Sequence, residues 1–160
     1  MNTIEKKSLK VGKYVNTEHV DGLIRNYKTE RWIHNSERMG TNDTLGVWYT
    51  IDELEEFIQT ARMQGADGIR LYFGVYGDNA PRPGSQGKQT IALVATHTEL
   101  ASDGKEVRKD LYINSGEQKT LLAYNAGFPI PDVPGGGSGT SVLTLGLTIT
   151  VNKDNQMVII

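Results

Sequence analysis

Thr50 to Tyr76, TIDELEEFIQTARMQGADGIRLYFGVY, decides the fold. Thr50-Ile-Asp-Glu53 has the form of a capping box. The Thr50 hydroxyl accepts the backbone N–H three residues on, and the Glu53 carboxylate reaches back to the Thr50 N–H. Tyr49 and Leu54 stand at the two positions of a hydrophobic staple. Asp52, Glu53, Glu55 and Glu56 suit the positive end of a helix dipole. Leu54, Phe57, Ile58 and Ala61 recur at helical spacing and form a buried stripe. Gly65 stops the helix, most simply in a left-handed conformation. The pattern then changes period. Ile69, Leu71, Phe73 and Val75 face one way and Arg70, Tyr72, Gly74 and Tyr76 the other, which predicts a strand. A helix, a glycine stop and a strand place the chain in the α+β class, and the stretch carries no catalytic signature.

Upstream, Val20, Leu23, Ile24 and Tyr27 predict a first helix from Thr17 to about Arg38, capped by Asn16 or Thr17 and stopped at Gly40. Trp32 and Ile33 keep its apolar face only roughly, so a break is expected near Arg31. Residues 1–15 read as a lysine-rich lead-in arm, 16–64 as the helical part and 65–160 as mainly β, all in one domain. Leu45 to Tyr49 predicts a short strand. Residues 77–88 form a turn-rich loop. Thr90 to Thr98 is apolar on both faces in its middle and suits a central strand. Val107 to Ile113 predicts a weaker strand, and residues 125–139, rich in proline and glycine, an irregular loop. Val142 to Val151 alternates strongly, and Met157 to Ile160 can pair back on it as a hairpin. The expected architecture is two N-terminal helices on one face of a mostly antiparallel sheet of about five strands. In a variant of it, the second helix is the crossover of a βαβ unit joining 45–49 to 69–76.

The chain has 160 residues, 38% hydrophobic and 22% charged, with a net charge of −2, which suits an ordinary globular domain. No global basic field draws nucleic acid or anionic lipid, and no apolar run approaches the length of a bilayer span. The absence of cysteine excludes disulfides, zinc–thiolate sites and cysteine nucleophiles. The N-terminus shows no secretory signal, so synthesis in the cytoplasm is expected, with signal-independent export in a larger assembly as an open route.

Four groups of residues invite a chemical reading. The run from Gly135 to Thr140 lacks the lysine and the following helix of a phosphate loop, so it reads as a spacer. Glu30, His34 and Glu37 share a face if the first helix continues unbroken, and an imidazole between two carboxylates suits a divalent ion. That spacing alone is weak, and a solvated charged face is the default. His97 and Glu99 sit at the end of a strand, where a histidine oriented by a carboxylate can act as a general base. No serine stands in a Gly-x-Ser-x-Gly elbow, and a satisfied strand-end histidine is the simpler reading. Arg70, Tyr72 and Tyr76 share a sheet face around Gly74, and arginine and tyrosine are favoured in binding hot spots.

Trp48 to Ile58, Gly65 to Gly74 (GADGIRLYFG) and Gln89 to Val94 together resemble a group of small uncharacterised proteins from Bacteroidetes-type bacteria. The segments Asn125-Ala-Gly127 and Pro129-Ile-Pro131 resemble an Asn-x-Gly stretch with closely spaced prolines in that group. Its members often carry cysteines beside those prolines, and this chain has none. The resemblance covers roughly residues 48–131 and implies a bacterial source and no known activity.

The expected function is therefore a non-enzymatic interaction module, or passive cargo of a larger bacterial assembly, that binds protein partners or self-associates without a cofactor. The alternatives are a small hydrolase or injected toxin-like effector using His97 and Glu99, and a small-molecule sensor using the Arg70, Tyr72 and Tyr76 face.

Overall fold

The computed structural model describes residues 9–130, 149–151 and 157–159. The Gly135–Thr140 run, Pro131 and most of the expected 142–151 strand lie outside them. The described elements belong to two compact units. One holds α1 (Thr17–Tyr27) and the pair of β9 (Ile149–Val151) with β10 (Met157–Ile159), antiparallel with Met157 opposite Val151. The Asn16 side chain caps α1 by accepting from the His19 N–H at 2.9 Å. The expected break near Arg31 is a π-helical turn, Lys28–Trp32, between α1 and α2 (Ile33–Met39). Gly40 ends α2 at φ 70°.

The other unit begins at Trp32 and carries most of the described chain. In it, α3 (Ile51–Met63) forms where its sequence predicts, with Phe57 and Ala61 of the expected stripe buried and Ile58 exposed. Thr50 Oγ1 accepts from Glu53 N at 3.1 Å, and the Thr50 N–H donates to Glu53 Oε2 at 2.9 Å. Gly65 follows at φ 90°. Phe57 and Ala61 of α3 meet Leu93 and Ala95 in the core, with Tyr49, Leu54, Ile69 and Tyr124 packed around them. Tyr124 stacks on Phe57 at 5.7 Å, and its hydroxyl donates to Glu53 Oε1 at 2.9 Å, so one glutamate both caps the helix and ties it to the sheet.

These bonds, first those from Thr50 and then that from Tyr124, hold the Glu53 carboxyl below the usual glutamate range. A lowered folded-state pKa adds stability that is complete above the unfolded value and is lost as pH falls through the folded one. Thr50→Ala is expected to lower the unfolding free energy by about 1 kcal/mol at neutral pH. It is also expected to flatten the acid limb, as checked by urea unfolding at a series of pH values.

The unit is α+β with antiparallel pairing throughout its described strands. They do not form one five-stranded layer. β2 (Gly68–Val75) pairs with β3 (Gln89–Leu100), Leu71 opposite Leu93 and Phe73 opposite Ile91. The second side of β3 is shared. β4 (Glu106–Asp110) takes Thr96 to Leu100, and β7 (Ala123–Tyr124) takes Leu93 and Val94. The expected 107–113 strand breaks at Leu111, whose N–H still donates to Ala95 O at 2.8 Å. β5 (Tyr112–Ser115) then departs to pair with β6 (Gln118–Leu121). β3 is longer than any partner, so its edge is divided among several short ones. β1 (Gly46–Trp48) pairs with β8 (Phe128–Ile130), which lies inside the expected irregular loop. β1 is therefore not the first strand of a βαβ unit, because its ladder partner is β8 rather than β2. Among the described residues, no helix is long and apolar enough to cross a membrane.

Candidate functional site

The backbone directions on β3 fix those on β2. The Ala95 N–H donates to Leu122 O at 2.9 Å and Ala95 O accepts from Leu111, so both groups point away from β2. Ile69, opposite Ala95, is then a non-hydrogen-bonded pair, and the pattern alternates along the ladder. The Tyr76 N–H donating to Lys88 O at 3.0 Å confirms the phase at the other end. Leu71, Phe73 and Val75 consequently turn their N–H and C=O groups to the outer side of β2. Among the described residues β2 has a ladder partner on one side only.

The same three residues expose their side chains. Leu71 is 59%, Phe73 82% and Val75 66% accessible. Their neighbour on that face, Ile69, packs against the core. Among the described residues, outward backbone groups without a ladder partner and an apolar stripe thus coincide on one edge, which is what a strand-accepting surface requires.

On the opposite face, Arg70, Tyr72 and Tyr76 separate into two networks. Arg70 Nη1 donates to Asp110 Oδ1 and, at 2.9 Å, to the Tyr72 hydroxyl; Nη2 donates to Arg108 O at 3.0 Å. The Tyr72 hydroxyl donates to Asp110 Oδ2 at 2.8 Å. This cluster fastens β2 to β4 across β3. Tyr76 turns instead to Asn125 Oδ1 at 2.9 Å and accepts from Thr90 Oγ1 at 3.0 Å. Asn125 also donates to Thr90 Oγ1 and to Ile91 O. The three residues that the sequence groups together therefore hold other parts of the sheet.

His97 Nε2 lies 2.6 Å from Glu99 Oε1, and Glu99 Oε2 lies 2.6 Å from Lys109 Nζ on β4. Lys109 first and His97 second hold the Glu99 carboxyl below the usual range. His97 Nδ1 is buried and meets no hydrogen-bond partner among the described residues. A bare imidazole nitrogen is less costly there than an unpaired N–H, so the ε2 tautomer donating to Glu99 is favoured. The arrangement is a cross-strand charge cluster: the carboxylate that would orient a base is shared with a lysine.

His34 Nδ1 is 3.9 Å from Glu37 Oε2, and both side chains are largely exposed. Glu30 lies in the π turn, whose wider coil disrupts the phase that the four-residue spacing to His34 assumes. Among the described residues, no group of three His, Asp or Glu is placed to hold a metal ion.

No protein-family model, curated protein or solved structure matches the chain. The geometry of the β2 edge thus carries the functional argument. Its signal was present in the sequence as the Leu71, Phe73, Val75 alternation. The alternation gives the shared face but not whether it is covered, since much of any folded surface is apolar.

Proposed function

We propose that the protein is a non-enzymatic interaction module, a component of a larger assembly, that takes up an extended protein segment along the outer edge of β2. The observation that carries this reading is the coincidence, at Leu71, Phe73 and Val75, of outward backbone groups with exposed apolar side chains. Main-chain bonds supply affinity in such a mode, and alternate side chains supply selectivity. The hydrolase reading has less support, since Glu99 is held jointly by His97 and Lys109. The sensor reading has less support, since Arg70, Tyr72 and Tyr76 are occupied within the sheet.

The test is titration of dilute, isotope-labelled protein with a soluble peptide of alternating valine and threonine. Amide shifts are expected at Leu71, Phe73 and Val75, with saturation. Covering a side chain of this size contributes about 1.5–3 kcal/mol, so Phe73→Lys is expected to weaken binding roughly ten- to a hundredfold. Shifts confined to other elements, or none up to the peptide's solubility, would overturn the reading.

A further inference from the structure

We propose that the segment taken up by β2 is β2 of a second copy of this chain, antiparallel about a two-fold axis at Phe73. The inference rests on the edge-docking reading and names its occupant. An isologous contact needs a surface complementary to itself, and this strand meets that condition in one register. With Phe73 opposite Phe73 of the second copy, Leu71 faces Val75 and Val75 faces Leu71. All three are residues whose N–H and C=O point outward, so each of these pairs exchanges two main-chain hydrogen bonds. The whole exposed stripe is then matched with itself.

The other face agrees. In this register Tyr72 lies opposite Gly74, and a ring laid over a strand glycine covers the backbone that the missing side chain leaves bare. Arg70 is the one charged residue in Gly68–Val75. It faces Tyr76 of the second copy rather than another Arg70, so no like charges oppose each other. Its guanidinium already meets Asp110 and Tyr72, so the edge shows no unpaired positive charge that would select an acidic peptide. Moving the axis to Tyr72 would set Val75 against Ile69, which is packed in the core. Moving it to Arg70 would oppose the two guanidinium groups. The devices that natural edges use against pairing, such as lysine, proline or an inward charge, are absent from Leu71–Val75.

Sedimentation of the full chain across a concentration series tests the inference. Mass is expected to rise from one copy to two. Phe73→Lys places two ammonium groups on the axis and is expected to weaken dimerisation by at least about tenfold. Phe73 is 82% exposed, so that variant keeps its core, as far-UV circular dichroism will show. The chain has no cysteine, which permits a second measurement. Opposed Cα atoms in such a pair lie about 5.5 Å apart, within disulfide reach. Phe73→Cys is expected to oxidise to a covalent dimer well before Leu100→Cys, an exposed control on β3. A chain that stays monomeric while the valine–threonine peptide still binds would overturn the second-copy proposal and leave the edge reading intact. A monomer that binds no peptide would overturn both. A dimer indifferent to Phe73→Lys, in which the Phe73→Cys variant cross-links no faster than Leu100→Cys, would place the contact elsewhere and overturn the proposal.

Discussion

Asp43→Ala is expected to cost about 3–5 kcal/mol of unfolding free energy, since a buried donor and two part-buried ones lose their acceptor, at up to about 1–3 kcal/mol each. Asp43 is 3% exposed and serves as the junction between α2 and the start of β3. Its Oδ1 accepts from Thr44 N at 2.8 Å and Gln89 N at 2.7 Å, and its Oδ2 accepts from Asn35 Nδ2 at 3.0 Å. Its backbone works in the same place: its N–H donates to Ser36 Oγ at 2.9 Å, and its carbonyl accepts the indole N–H of fully buried Trp32 at 2.6 Å. Alanine keeps the backbone bonds and deletes every side-chain one. The expected loss is a large part of the 5–15 kcal/mol that holds a typical domain folded. Asp43→Asn separates geometry from charge. Its amide oxygen can still take both backbone N–H groups, and rotating the Asn35 amide gives the new NH2 an acceptor. A cost under about half that of alanine is expected, because only the charge-assisted part of these bonds is lost. Urea unfolding followed by the tryptophan signal measures both variants. Equal costs for alanine and asparagine would show that the accepting oxygens are not what matters at this position.

Legibility from the sequence follows the range of the interactions. The capping box, the Gly65 stop and the alternation of Gly68–Val75 are set by residues within a few positions of one another, and each appears where its pattern predicts. The weak periodicity at Trp32 and Ile33 announced the π turn for the same reason. Pairings between distant segments were not legible. Nothing local couples Val47 to Pro129, and proline is tolerated there because, among the described residues, β8 has a ladder partner on one side only. Asp43 carries no local pattern that marks it as a junction, because Gln89 and Asn35 become its partners only after folding.

The candidate site shows the same division. Alternation established that Leu71, Phe73 and Val75 share a face with Ile69, but the coverage of that face depends on where α3 lies. Its residues Phe57 and Ala61 settle over Leu93 and Ala95, and Ile69 packs beside them while the later residues of β2 remain accessible. Likewise, a shared face did not make Arg70 and Tyr76 one site. Asp110 and Asn125, contributed by later segments, draw them into different networks.

Gly127→Ala is expected to destabilise the protein by about 3 kcal/mol, the upper part of the range for overpacking, while Ala126→Gly beside it is expected to stabilise. A Cβ on Gly127 would fall against the Val47 side chain and 2.7 and 2.8 Å from ring atoms of Tyr49. Neither neighbour yields easily. Val47 is branched at Cβ and sits in the β1–β8 ladder. The Tyr49 ring packs against Tyr124 at 5.7 Å. The backbone is held as well. Arg82 donates from Nη1 to Gly127 O at 2.9 Å and from Nη2 to Ala126 O at 2.7 Å, with its guanidinium 4.7 Å from the Phe128 ring centroid. Retreat from the clash would give up one of these contacts. Ala126 stands at φ 73°, where an L side chain costs about 1–2 kcal/mol. Glycine removes that strain, and its extra freedom in the unfolded chain offsets about 0.5–1 kcal/mol of the gain. The net expectation is a rise of a few tenths to about 1 kcal/mol. Thermal and urea unfolding of the two single variants provide the comparison. If both lose stability, the strain assigned to Ala126 is wrong; if Gly127→Ala is neutral, Val47 and Tyr49 are looser than their packing implies.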